Sequence, residues 1–173
     1  VGSEMCIRDS AKAVEQVVSV LRDLPGAQVS VSRTPDASGD QVWVGTAETT
    51  PGIDGLVASL GGSKAATLPA DGYVIASGRR SGHNVIALQG KDARGTFYAV
   101  QTLRQLVRHD KVASVTVRDW PLMPIRGGIE GFYGIPWSHQ ARLDQFTFYG
   151  RHKMNTYMSL IHISEPTRHL YIS

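Results

Sequence analysis

Apolar positions recur along the chain with two different periods, and turn residues separate the runs. Val14, Val17, Val18 and Leu21 stand at i, i+3, i+4 and i+7, which predicts an amphipathic helix over Ala11–Arg22. Leu24-Pro25-Gly26 ends it, because Pro cannot continue the backbone ladder and Gly accepts a left-handed cap. Val29 and Val31 alternate with Ser30 and Ser32, which predicts a short strand, and Thr34–Asp40 is a turn cluster. Gln41–Gly45 predicts a strand, and Gly52–Leu60 a short helix broken by Gly61-Gly62. Tyr73–Ala76 and Val85–Leu88, with a polar turn at Ser81–Asn84, read as a β-hairpin. Asp92 is placed to cap a helix over Ala93–Arg108, whose buried face takes Phe97, Val100, Leu103 or Arg104, Leu106 and Val107. Val115–Arg118 predicts a further strand.

The order helix, strand, strand, helix, hairpin, helix, strand predicts an α+β domain, a mixed sheet with helices on one side. It opens on a helix, as if a first strand were missing. Asp119-Trp120-Pro121 and Pro124 mark a linker. Beyond it, Arg126–Glu130 reads as a strand, Gly131–Ser138 as a glycine- and aromatic-rich loop, His139–Arg151 as a helix and Met154–Met158 as a strand. Strand, loop, helix, strand is one βαβ piece of a parallel architecture. Such a piece cannot bury both faces of its strands. Residues 125–158 are therefore expected to expose an apolar face and to aggregate.

Composition narrows the choice. The chain has 173 residues, a formal charge of +3 and 42% hydrophobic residues. A complete (β/α)8 barrel, which takes about 250 residues, does not fit. No apolar run approaches the ~18 residues of a membrane span. The basic residues are scattered, which argues against a nucleic-acid surface.

The two ends stand apart. Val1–Ser10 (VGSEMCIRDS) and Ser159–Ile172 (SLIHISEPTRHLYI) both resemble translated sequencing-adapter DNA, in opposite orientations. On that expectation residues 1–10 and 159–173 are artefactual, residues 11–120 form the first domain and residues 121–158 open a second. The remainder carries 16 basic and 12 acidic residues, formally +4, and no cysteine, since Cys6 belongs to the excluded end.

Candidate chemistry is sparse over most of the chain. Gly90–Thr96 (GKDARGT) lacks the Lys before Ser/Thr that a phosphate loop requires and reads instead as a capped helix start. His83, His109, His139 and His152 show no metal-ligand spacing and read as structural or surface residues. There is no GxSxG nucleophile elbow. Trp43, Tyr73, Phe97 and Tyr98 fall in strand or helix patterns where core packing is expected.

Arg126–Ser138 (RGGIEGFYGIPWS) differs. After a strand it brings together an acid (Glu130), glycines (Gly131, Gly134) and aromatics (Phe132, Tyr133, Trp137). In βα architectures the loop at a strand's C-terminal end builds the site. Glycine leaves carbonyls accessible, aromatic rings offer sugar faces an apolar platform, and Tyr133 adds a hydroxyl. The other reading is that Phe132 and Trp137 merely cap the barrel.

GIEGFYGIPWS at Gly128–Ser138 and KMNTYM at Lys153–Met158 resemble the first strand, its loop and the second strand of the catalytic barrel of glycoside hydrolase family 84. These are the β-N-acetylglucosaminidase, O-GlcNAcase and hyaluronidase-like enzymes. LPADGYVI (Leu68–Ile75), NVIAL (Asn84–Leu88), GKDARGTFYAVQTLRQL (Gly90–Leu106) and VTVRDWP (Val115–Pro121) resemble the non-catalytic domain that precedes hexosaminidase-type barrels. The resemblance implies a retaining glycosidase of terminal β-linked N-acetylglucosamine, with the substrate's acetamido group as nucleophile through an oxazoline. It implies that the carbonyl of Gly131 meets a sugar hydroxyl, that Tyr133 lines the pocket, and that Glu130, Phe132 and Trp137 support the loop. The family's Asp-Asp pair lies on a later strand, so no catalytic residue is expected here. Asp119 and Asp144, in a linker and on a helix, do not replace it. The chain is then an inactive fragment of a bacterial, secreted hydrolase of carbohydrate metabolism, with no cofactor, no metal and a glycan or glycoprotein partner. A carbohydrate-binding accessory module, a family 20-like hexosaminidase and a glucuronidase sharing the first domain are the alternatives; the EGFYG motif argues against the last two.

Overall fold

The computed structural model describes residues 3–32, 39–109, 111–112, 114–130 and 137–158, with residues 3–10 described as helix backbone alone. Gly131, Phe132, Tyr133 and Gly134, most of the expected turn at Thr34–Asp40, and residues 159–173 lie outside the described residues. The chain divides into two units, Val1–Leu122 and Met123–Ser173.

The first unit carries helices α1 (Ser3–Arg22), α2 (Ile53–Ser59) and α3 (Ala93–Leu106), and strands β1 (Gln41–Gly45), β2 (Tyr73–Arg80), β3 (His83–Gly90), β4 (Val107–Arg108), β5 (Lys111–Val112) and β6 (Thr116–Asp119). Four of the strands make one mixed sheet in the order β1-β3-β2-β6. β1 runs parallel to β3, and the pairs β2–β3 and β2–β6 are antiparallel. β4 and β5 form a separate small hairpin, so α3 stops at Leu106, short of the expected Arg108.

The β2–β3 hairpin is longer than its apolar runs suggested and turns tightly. Arg80 pairs with His83, and the two residues between, Ser81 and Gly82, have φ of 51° and 87°. Positive φ at both positions is the type I′ turn whose twist matches that of the flanking strands.

The α+β class and mixed sheet are as expected, but the helices do not all lie on one side. Tyr73, Ile75 and Leu88 pack with Ala13 and Val17 of α1 and with Tyr98, Ala99, Val100 and Leu103 of α3. Val74, Ala76, Val85 and Ala87 pack instead with Ile53, Leu56 and Val57 of α2 and with Ala65 and Leu68 at a 3-10 turn, Ala65–Thr67. The reason is the strand period: successive side chains point to opposite faces, and β2 and β3 carry apolar residues at consecutive positions, so both faces need a cover.

Three local expectations change for related reasons. Helix α1 runs from Ser3 rather than Ala11; residues 3–10 contain no Gly or Pro, so the backbone ladder can extend from the nucleated turns. Its buried stripe is Ala13, Val17 and Val20, with Leu21 at the margin. Residues 29–31 form no strand, and Val31 is exposed; two valines bury too little to hold a strand that has no ladder neighbour. Helix α3 is buried at Tyr98 through Leu103 rather than along one stripe, because it has α1 on one side and the sheet on the other.

Several buried polar groups in this unit are paired, while Gln101 Oε1 and Arg104 Nε have no hydrogen-bond partner among the described residues. Tyr73, 1% exposed, donates its hydroxyl hydrogen bond to Asp119 Oδ2 (2.6 Å), with Thr102 Oγ1 2.7 Å away. Gln89 donates to Asp54 and accepts from the backbone N–H of Ala65. Asp92 caps α3 by accepting from Gly95 N (2.8 Å) and also accepts from Asp71 N (2.8 Å), which accounts for the GKDARGT segment without a phosphate. Trp43, Tyr73, Phe97 and Tyr98 all belong to or pack against the core clusters, as their patterns predicted.

The second unit is β7 (Gly127–Ile129), α4 (His139–Arg151) and β8 (Thr156–Met158), with β7 and β8 parallel. This is the βαβ arrangement read from the sequence. Ser138 caps α4, accepting from Ala141 N at 3.1 Å. No residue of α4 is buried. Ile125, Ile129, Phe146, Phe148 and Met158 are exposed, which matches the expected apolar face.

Candidate functional site

The site is built at the C-terminal end of β7. A Cβ at Gly127 would fall on the Thr156 carbonyl oxygen and lie 2.6 Å from its carbon, so only glycine lets the two strands meet there. At Gly128 a Cβ would strike the Tyr149 hydroxyl. Arg126 ties the start of β7 to the segment before β8: its Nε donates to Lys153 O (2.8 Å), and its own N–H donates to Asn155 Oδ1 (2.9 Å).

Glu130 follows directly. Its N–H donates to Met158 O at 2.9 Å, continuing the ladder by one residue. Its side chain is 5% exposed, yet its carboxylate is charged and well supplied with donors. Arg142 Nε donates to Oε2 (3.0 Å) and Nη2 to Oε1 (2.8 Å), a two-pronged pair. The Tyr157 hydroxyl donates to Oε2, and the Trp137 N–H to Oε1 at 3.3 Å. Arg142, then Tyr157, hold the Glu130 carboxyl down at about 2. The same contacts raise the Arg142 guanidinium and the Tyr157 phenol above their ordinary values, Glu130 being the chief cause for each.

An aromatic cluster fixes Tyr157. Its ring meets Phe146 edge-on at 4.9 Å and Tyr149 at 6.2 Å. Trp137 is 42% exposed, while its backbone is tied to Glu130.

Of the residues singled out from the sequence, Glu130 and Trp137 are brought together here, and Gly131, Phe132 and Tyr133 lie outside the described residues. Arg142 and Tyr157 escaped sequence reasoning. Arg142 is one of several polar residues on an unremarkable helix, and only the packing of α4 beside β7 brings it to Glu130. Asp119 is bonded to Tyr73 and to the Trp120 N–H, and Asp144 accepts from Gln140, so each has a structural partner. His152 closes α4, with Nδ1 2.8 Å from Phe148 O. Among the described residues no three His, Cys, Asp or Glu side chains gather as a metal would require, and no helix is long and apolar enough to cross a membrane.

Residues 3–120, more than half of the chain, match the family model described as glycosyl hydrolase family 20, domain 2. By residues 3–120 the chain belongs to this domain family. Residues 126–159, which hold β7, α4 and β8, match the model described as beta-N-acetylglucosaminidase. The solved structures of CpGH84B and CpGH84D are similar to it at 28% and 25% identity, with TM-scores of 0.65 and 0.66, over 86% and 85% of this chain. This chain spans 24% of the length of each. In both its first unit and its second it resembles family 84-like hexosaminidases.

Proposed function

We propose that this chain is the accessory domain and first βαβ piece of a family 84 β-N-acetylglucosaminidase, a retaining enzyme that removes terminal β-linked N-acetylglucosamine. The match of residues 126–159 to the beta-N-acetylglucosaminidase model carries this reading. It falls on the segment where Glu130 ties the residue before 131–136 to Trp137 after it.

In this reading Gly131 offers its carbonyl to a sugar hydroxyl and Tyr133 lines the sugar pocket. Glu130, Phe132 and Trp137 support the loop without touching the reacting atoms. The acetamido oxygen of the substrate attacks the anomeric carbon as the leaving-group oxygen takes a proton, forming an oxazoline that water then opens with net retention. The two aspartates that orient the acetamide and move the proton belong to a later barrel strand, so this chain by itself is inactive. Glu130 cannot serve as the acid: held at about 2, it carries no proton to give near neutral pH. Secretion is part of the proposal and rests on the family resemblance alone.

The test is turnover of an aryl N-acetyl-β-glucosaminide. The 173-residue chain is expected to give none. A longer product of the same gene is expected to turn it over with retention, and kcat should fall as fluorines on the acetyl group weaken its oxygen as a nucleophile. Turnover by the chain alone would sink its assigned inactivity, and indifference to fluorination would sink the oxazoline route.

The family 20-like alternative draws support from the description of the model matched by residues 3–120, and the match over 126–159 weighs against it. The binding-module alternative has less support, since Trp43, Tyr73, Phe97 and Tyr98 are spent on the core.

A further inference from the structure

We infer that Arg142 and Tyr157 are positioning residues for the sugar-binding loop, acting through Glu130, whose carboxylate they orient so that it fastens Trp137 to the end of β7. For the identity of the ligand, a terminal N-acetylhexosamine, the inference rests on the function proposed above. The clamp itself does not.

Three separate stretches of chain converge on one buried carboxylate: Arg142 from α4, Tyr157 from β8 and the Trp137 N–H from the far side of the loop. Arg142 fixes the plane of the carboxylate, because its fork reaches both oxygens at once. Tyr157 fixes the tilt through Oε2, and its own ring is fixed by the edge-on contact with Phe146. Oε1 is thereby left facing the Trp137 N–H. The backbone at the other end is held independently, by the bond from Glu130 N to Met158 O. A buried ion pair adds little net stability compared with apolar packing, but it defines geometry closely. Its placement across the two ends of 131–136 fits a device that sets where the loop begins and ends.

Amide hydrogen exchange on the 173-residue chain separates this role from mere structural support. Trp137 N–H reports the clamp, the N–H of residue 130 reports the β7–β8 ladder, and the α4 amides report the fold of the unit. In Glu130→Gln and Arg142→Lys, Trp137 exchange should speed by about tenfold or more, the loss of a charge-assisted hydrogen bond, while the residue 130 and α4 amides keep their protection. Tyr157→Phe, the mildest change, should give a smaller acceleration confined to Trp137. Lysine keeps the charge of Arg142 but not its fork, so wild-type exchange in Arg142→Lys would overturn the orienting role. Unchanged Trp137 exchange in all three variants would overturn the clamp. Loss of α4 protection together with Trp137, even in Tyr157→Phe, would make these residues structural glue and overturn the positioning role. In an active enzyme carrying this segment, Arg142→Lys should raise KM for the aryl N-acetylglucosaminide at least about tenfold with a smaller change in kcat. An enzyme with no such activity would fail the functional proposal and leave the exchange result standing.

Discussion

Arg142 meets Glu130 fork to fork, Nε to Oε2 at 3.0 Å and Nη2 to Oε1 at 2.8 Å, across the gap between helix α4 and the end of strand β7. The pair joins residues twelve positions apart in sequence and leaves Glu130 ionised in a nearly buried place. Burial by itself would push a carboxyl upward; two donors from Arg142 and one from Tyr157 outweigh it.

That balance fixes a pH dependence. The folded-state value of Glu130 is depressed from 4.5 to about 2. Its contribution to the stability of the second unit is therefore fully present above about 4.5 and is lost as pH falls through about 2. Acid titration followed at the Trp137 and α4 amides should show protection declining across that window. Glu130→Gln should flatten this part of the curve; an identical acid profile in wild type and Glu130→Gln would rule the linkage out.

Gly127→Ala should separate β7 from β8. The new Cβ would sit on the Thr156 carbonyl, and backbone on both strands must move to admit it. A cost of roughly 3 kcal/mol or more is expected, at or beyond the upper end of ordinary overpacking. Loss of exchange protection at Glu130 and Thr156, with β2 and β3 still protected, is the expected readout. Retained protection at both would show that the strands can yield.

Tyr73→Phe removes the hydroxyl that donates to Asp119 and meets Thr102 at the edge of the core of the first unit. Buried Thr102 and half-buried Asp119 each lose a partner, so a destabilisation of about 1–3 kcal/mol is expected in denaturant titration. Burial, and then Asp119, push the Tyr73 phenol above its ordinary range. Alkaline titration of the wild type should therefore leave this tyrosine un-ionised after ordinary tyrosines have titrated. A variant as stable as wild type would show the network to be dispensable.

Asp92→Ala strips the cap of α3 and the acceptor of the Asp71 N–H together. The expected loss is about 1–2 kcal/mol, toward the upper end for a cap because two donors are orphaned. Asp92→Asn, whose single side-chain oxygen can still accept from one of the two N–H groups, should recover part of it. Equal loss in Asn and Ala would mean that the charge, and not the acceptor, matters.

Much of this architecture could be read from local pattern. Asp92 announced the start of α3, because a cap is a contact between residues three apart. The parallel β7–β8 piece followed from the strand, loop, helix, strand order. The segment 29–31 misled because alternation states which faces a strand would have, but not whether a neighbour exists to pair with it. The placement of α2 opposite α1 and α3 was hidden for a similar reason: a hydrophobic stripe says that a helix packs, not on which face of the sheet. Glu130 and Trp137 were legible as members of one motif, seven residues apart. Arg142 and Tyr157 were not, since no local signal marks which polar residue of α4 and which aromatic of β8 will converge.

The sequence by itself determined most of the elements and their order, the hairpin and the family resemblance, since these rest on periodicity, caps, turns and motifs within a few residues of one another. The tertiary structure decided which face each helix covers and which partners hold Glu130 ionised. Those are long-range choices, made where packed volumes and buried charges from distant segments must be satisfied together, and no window along the chain contains them.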